Sequence, residues 1–178
     1  MNRALVRPCT DADIAAITAI YGHYVAHSTA TFEETPPDAA EMASRRQRVL
    51  NEGMPYLVAE LDGAVVGYAY ATIYRTRSAY RFTAEDSIYI HHEHSRKGIG
   101  AQLLGALIAE CERIGCRQMV AVMSDGAAPG SPAFHARFGF TPAGALHAVG
   151  FKFGRWIDTE RMQLTLGSGA ATPPAERA

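Results

Sequence analysis

A short apolar strand, Ile88-Tyr89-Ile90, hands over through a polar turn to Arg96-Lys97-Gly98-Ile99-Gly100-Ala101. An apolar helical stripe of Leu103, Leu104, Leu107, Ile108, Cys111 and Ile114 follows at once. A strand that passes into a helix this way sets the first N–H groups of the helix, which lack intrahelical partners, at the strand's end. With the helix dipole those donors suit an anion such as a pyrophosphate. Glycine lets the backbone approach such a ligand closely. Two commoner phosphate loops do not fit. A P-loop needs Gly-Lys-Ser/Thr, whereas Gly100 is followed by Ala101-Gln102; the dinucleotide fingerprint needs a third glycine that Gly98-x-Gly100 lacks.

The rest of the chain alternates in type. Leu5 and Val6 open a strand closed by Pro8, and Thr10 with Asp13 forms a weak capping-box pair. Ile14, Ile17, Ile20, Tyr21 and Tyr24 recur at helical spacing as far as His27. After the polar stretch Ser28 to Pro37, a charged helix runs from Ala39 to Asn51, with Arg45, Arg46 and Arg48 expected on a solvated face. Tyr56 to Leu61, the Asp62-Gly63 turn and Ala64 to Ile73 read as a hairpin, and Phe82 to Ile90 as a further strand. Gly115 ends the long helix, and Met119 to Met123 is a buried strand. A Gly/Pro-rich loop, a short helix around Ala133 to Phe138 and strands near Ala143 to Phe151 and Ile157 to Leu166 complete the order. That order predicts a mixed α/β domain with a partly antiparallel sheet.

At roughly 150 residues per domain, 178 residues predict one domain, placed at residues 1–166. From Gly167 the composition turns to Gly, Ser, Ala and Pro, so residues 167–178 are expected to be a disordered tail. Lys+Arg 17 against Asp+Glu 18 argues against a general nucleic-acid or membrane-surface binder. No stretch approaches the roughly 18 apolar residues of a membrane span. Met1 to Pro8 carries no apolar run of the signal-peptide kind. Cys9, Cys111 and Cys116 lack CxxC spacing, and a reducing, cytoplasmic setting is expected. The run His91-His92-Glu93-His94 invites a zinc reading, but neighbours on an extended segment point opposite ways and no partner cluster exists elsewhere, so no metal is expected.

The strand–RKGIGA–helix unit resembles the acyl-CoA binding motif of the GNAT superfamily of N-acetyltransferases. Further stretches resemble its phosphinothricin and methionine sulfoximine acetyltransferases: Ser28 to Glu33, Val66 to Tyr70, Thr83 to Ile90, Phe134 to Phe140 and Val149 to Asp158. The likeness runs from Leu5 to Leu166. It implies the GNAT fold, α/β (α+β), with a mixed central sheet of about seven strands, splayed parallel strands and about four helices. It implies acetyl-CoA as cosubstrate, a small-molecule amine as acceptor, and a homodimer.

By that resemblance Ile88, Tyr89 and Ile90 offer backbone hydrogen bonds to the pantetheine arm, and Arg96, Lys97, Gly98, Ile99, Gly100 and Ala101 hold the pyrophosphate. The arm lies between the strand ending at Ile90 and that of Met119 to Met123, and an N–H of the first also suits an oxyanion. Two positions depart from the family: Ser95 replaces its Arg or Gln at the first place of the phosphate motif, and Ala128 replaces its Asn, leaving Ser131 as the possible substitute contact. An ammonium must lose a proton before it attacks a thioester, and a carboxylate can take it. Glu85 matches the family's proposed base, with Glu33 as runner-up, and His135 is either an acid for the departing thiolate or a packed histidine. Arg75 and Arg81, flanking Tyr80, match positions used around an amino-acid substrate, since a guanidinium grips an α-carboxylate bidentately. Phe32, Tyr80, Val149 and Phe153 supply an apolar wall. Phe153 stands where the herbicide-acetylating branch has a His, so Lys-Phe-Gly-Arg-Trp looks more like the methionine sulfoximine branch.

Two rival readings remain: acetylation of a peptide N-terminus or a polyamine, and a catalytically inert CoA-binding sensor. The first does not require a carboxylate on the acceptor; the second binds acetyl-CoA without releasing thiol.

Overall fold

The computed structural model describes residues 3–126 and 130–175. Its strands are β1 (Leu5–Pro8), β2 (Tyr56–Leu61), β3 (Ala64–Ile73), β4 (Thr83–Ile90), β5 (Gln118–Ser124), β6 (Thr141–Lys152) and β7 (Arg155–Thr165). The helices are α1 (Ile14–His27), α2 (Ala39–Asn51), α3 (Ile99–Arg113) and α4 (Ser131–Ala136). One seven-stranded sheet has the order β1-β2-β3-β4-β5-β7-β6, antiparallel except for the parallel pair β4–β5. Seven strands in one mixed sheet and four helices agree with the architecture expected above.

The parallel pair is short. It runs from Thr83↔Gln118 to Asp86↔Ala121 and stops, although β4 continues to Ile90 and β5 to Ser124. On its other edge β4 stays paired with β3 through Gly67↔Ile90. The two parallel strands therefore fork after Asp86.

Alternation along β4 gives the fork two faces. Glu85, Ser87 and Tyr89 stand opposite Thr72, Tyr70 and Tyr68 on the face covered by α1, where Tyr89 meets Tyr21 at 5.2 Å between ring centroids. Asp86, Ile88 and Ile90 occupy the other face, covered by α3 and α4. The apolar stripe predicted for α3 is buried there, with Leu103, Leu104, Leu107 and Cys111 sealed from solvent.

Three details depart from the sequence reading. The last helix begins at Ser131, because Gly130 in the left-handed region starts it and Pro132 suits its first turn. It ends at Ala136, where Phe138 and Gly139 fold back onto His135 and Ala136. Two of the three arginines on α2 are tied down rather than free in solvent: Arg46 donates to Asp11 and to the Cys9 carbonyl, and the half-buried Arg45 pairs with Glu33 and Glu41. They tie α2 to its neighbours.

Gly67 fixes the approach of β3, β4 and α3. A Cβ there would lie 2.8 Å from Ile90 Cδ1, 3.1 Å from the Tyr89 carbonyl and 3.3 Å from Leu103 Cδ1. Gly67→Ala is expected to lower stability by about 1–3 kcal/mol, the usual cost of overpacking, measured as a fall in urea midpoint at unchanged slope.

Candidate active site

The fork opens into a cleft of about 810 Å³. Thr29 to Phe32, Glu85 and Ser87 line one side; Ile88, Ile90, Arg96, Gly98, Gly100, Ala101, Ser131, Phe134 and His135 line the other. Ala121 to Ser124 of β5 and Thr159 of β7 complete the wall. It joins both faces of the sheet.

The backbone of β4 dictates what the cleft offers. Phe82 O accepts from Arg117 and Gln118, while His91 N donates to Val66 O on β3, so the even-numbered residues face β5. Beyond Asp86 no strand lies opposite, which leaves the Ile88 N–H and C=O aimed into the cleft. Tyr89 instead turns its peptide to β3 and buries its ring. The Ile90 carbonyl accepts from the Tyr24 hydroxyl at 2.7 Å. Of the three residues expected to serve the pantetheine arm, Ile88 is the one with free backbone groups toward the cleft.

The glycine loop behaves as its sequence suggests. Gly98 sits at φ 82 with open space where a Cβ would point, so the dihedral demands glycine. Arg96 also adopts positive φ, at 59°. The first backbone bond of α3 runs from Gln102 N to Gly98 O at 3.3 Å, and no side chain caps the helix. Its leading N–H groups therefore face the cleft as donors for an anion. Ser95 lines the cleft beside them, whereas Lys97 lies outside the lining and Ile99 is buried core.

Glu85 sits at the fork, paired with Thr72 on one side and Val120 on the other. Burial, and secondarily the neighbouring Asp86 charge, push its carboxyl above the usual glutamate range; Arg75 and Arg161 pull more weakly the other way. Glu33 is committed elsewhere, accepting from Tyr21 at 2.8 Å and from Arg45 at 2.5 Å. His135 is buried, with Nδ1 2.9 Å from the Ser131 carbonyl and Nε2 3.2 Å from Asp86 Oδ2. Burial lowers its basicity, but the Asp86 hydrogen bond and charge outweigh it, so its pKa is raised.

The expected acceptor-side residues divide. Phe32 lines the cleft. Arg75, Tyr80 and Arg81 stand in the β3–β4 connection leading to Glu85, outside the lining: Arg75 lies over Tyr74 at 5.1 Å and Arg81 over Phe82 at 4.5 Å. Val149 and Phe153 are exposed on the β6–β7 hairpin, outside the cleft's lining. Ala128 lies outside the described residues. His92 stacks on His23 at 4.2 Å, and among the described residues no His, Cys, Asp or Glu group is arranged to hold a metal.

Sequence reasoning missed Asp86 and Lys152. Lys152 is 2% exposed, and its Nζ donates to the Ser28 and Thr31 carbonyls, each at 2.8 Å. With the Ser124 hydroxyl bonded to the Thr29 carbonyl, and Thr29 Oγ1 to the Asp125 carbonyl, it straps the Ser28–Glu33 loop over the cleft. A lysine in an alternating strand reads as solvated, and only the partner loop, more than a hundred residues away, makes it internal. Asp86 carried no signal beyond its place beside Glu85.

Residues 17–140 match the Acetyltransferase (GNAT) family. The chain is 54% identical to a phosphinothricin N-acetyltransferase of Alcaligenes faecalis, over 95% of this chain and 86% of that protein. It is 40% identical to an L-methionine sulfoximine/L-methionine sulfone acetyltransferase of Salmonella typhimurium, over 93% of this chain and 96% of the other. Among solved structures, a Sinorhizobium meliloti phosphinothricin acetyltransferase in complex with AcCoA superposes with TM-score 0.94 at 49% identity, covering 98% of this chain and 95% of that one.

Lys152→Met strands two loop carbonyls without a donor. The expected loss is about 2–6 kcal/mol, since each unpaired buried acceptor costs roughly 1–3 kcal/mol. Urea unfolding reads it, and the amides of residues 28–33 are expected to exchange faster.

Proposed function

The chain belongs to the GNAT acetyltransferase family and is an acetyl-CoA-dependent acetyltransferase, and from that premise we propose that it acetylates the α-amine of a small amino-acid-like molecule of the phosphinothricin, methionine sulfoximine or methionine sulfone type. One observation carries the reading. A carboxyl of raised pKa, Glu85, stands at the fork on one face of the sheet, while unpaired donors of α3 and the Ile88 N–H face the cleft on the other.

The donor set fits a long phosphorylated carrier. The leading N–H groups of α3, flanked by Ser95 and Arg96, would hold the pyrophosphate, and Ile88 would bond the pantetheine arm. When bound, the carrier supplies the thioester acetyl group. Glu85, directly or through water, takes one proton from the acceptor's ammonium, so that a neutral amine attacks the thioester carbon. The Ile88 N–H is oriented to meet negative charge developing on the thioester oxygen. The C–S bond breaks with its electron pair leaving on sulfur. The new amide sheds the second nitrogen proton, and solvent protonates the thiolate. Both nitrogens of His135 are already engaged, which supports its reading as a packed histidine over that of a proton donor.

Arg75 and Arg81, at the entrance to β4 near Glu85, suit the acceptor's carboxylate. The acceptor class is tested by thiol release from acetyl-CoA across amino acids, their decarboxylated analogues and short peptides. A preference for the intact amino acid supports this reading; equal rates without the carboxylate favour the polyamine or peptide reading, and no release with any amine favours a CoA-binding sensor.

The β6 edge supports a homodimer. Phe151, Phe153 and Trp156 are more than half exposed there, beside Val149, on the outermost strand pair. A long apolar edge of this kind needs a cover, and a second copy of the chain provides one. Trp156→Glu is expected to convert the dimer to a monomer in light scattering, and an unchanged mass removes this interface. A cytoplasmic location completes the proposal.

Glu85 must be ionised to act, so activity falls as pH drops through its raised pKa. The acidic limb of kcat/KM is expected above the ordinary glutamate value of about 4.3. Glu85→Gln is expected to lower kcat by roughly 10²–10⁴-fold and to remove that limb in steady-state thiol release; full activity at neutral pH excludes the base role.

A further inference from the structure

We propose that Asp86 is a positioning residue for His135, holding its imidazole doubly protonated and thereby clamping α4 to β4 across the fork. The proposal rests on the acetyl-transfer reading only for its catalytic consequence; the clamp itself is a matter of proton inventory.

A backbone carbonyl only accepts, so the 2.9 Å contact from the Ser131 carbonyl requires a proton on His135 Nδ1. The other nitrogen, Nε2, stands 3.2 Å from Asp86 Oδ2. With Asp86 ionised its oxygens only accept, and the contact then carries a second proton on Nε2. His135 is then an imidazolium and Asp86 its counter-ion, both nearly sealed from solvent at 7% and 3% side-chain exposure. The rings of Phe134 and Phe140 stand edge-on to the imidazole, at 5.2 and 5.1 Å. An unpaired charge in such a place is costly, and pairing is what permits it.

Among the described residues Asp86 is the charged side chain in contact with the imidazole, although Arg96 lines the same cleft. On β4, Glu85 projects to the opposite face of the sheet. β5, which packs against α4, carries no ionisable side chain. On α3 the facing residues are Gly100 and Ala101, and Arg137 at the end of α4 is exposed. Among the described residues Asp86 Oδ1 is buried without a hydrogen-bond partner, and the carboxylate's bond is the one to His135.

The pair also sits where backbone pairing fails. Asp86↔Ala121 is the last rung of the β4–β5 ladder, and α4 reaches across the opening just beyond it. The ion pair replaces a missing rung with a side-chain link, fixing the width of the cleft and keeping both His135 protons out of the reaction.

Nitrogen-15 correlation spectra of His135, taken on the full chain without ligand, test this. The expected result is two protonated ring nitrogens at pH 7. In Asp86→Asn the imidazole titration is expected to fall by about 1–3 pH units, the shift an adjacent opposite charge imposes, leaving one bare nitrogen at pH 7. A bare nitrogen in the wild-type protein, or an unmoved titration in the variant, overturns the proposal. If Asp86→Asn does not fold, the wild-type spectrum alone decides. A purely steric role for Asp86 would lower stability without changing the proton count. Thiol release measured alongside keeps the two readings apart: a protein with the expected His135 spectrum but no acetyl transfer retains the clamp and loses the proposed reaction.

Discussion

Everything functional in this molecule follows from four rungs of parallel pairing that end too soon. β4 and β5 are joined from Thr83↔Gln118 to Asp86↔Ala121 and then part. A β-strand with one unpaired edge inside a protein is ordinarily expensive, because its N–H and C=O groups lose water without gaining partners. Here those groups border an open cleft, so the unmet hydrogen bonds become binding capacity. The strand is held straight for this by its other edge, which remains paired with β3 as far as Gly67↔Ile90, and by Tyr24, whose hydroxyl bonds the Ile90 carbonyl.

The fork also treats two adjacent carboxyls differently. Glu85 and Asp86 follow one another on β4, so the pleat sends them to opposite faces. Among the described residues Glu85 meets no hydrogen-bond donor, and burial raises its pKa. Asp86 meets an imidazole and is bound to it. Neither environment can be read from the residue type. Both are set by which side of one strand the side chain leaves.

That division explains what the sequence could disclose. The glycine loop and α3 were legible because their signal is local: a strand, positive-φ glycine and a helical stripe within thirty residues. Glu85 was legible through the likeness of the stretch around it. Asp86–His135 spans 49 positions and Lys152–Thr31 spans 121, and no periodicity encodes a partner that distant. The arginines of α2 were misread for a related reason. Helical spacing placed Arg46 on the polar face, but the face is covered by the Cys9–Asp11 turn, which only the folded chain brings near.

The acceptor side of the cleft is assembled from parts that do not support themselves. The Ser28–Glu33 loop has no regular structure, and its position depends on bonds from Lys152, Ser124 and Tyr21. A Cβ at Gly150 would overlap the Phe32 ring, so that ring rests directly on β6 backbone. The Ser28–Glu33 loop is therefore registered against the β6–β7 hairpin, the end of β5 and α1. The carrier side is built on α3 and β4, which share the main core. The loop side of the cleft is thus set by single side-chain bonds, and the α3 side by core packing.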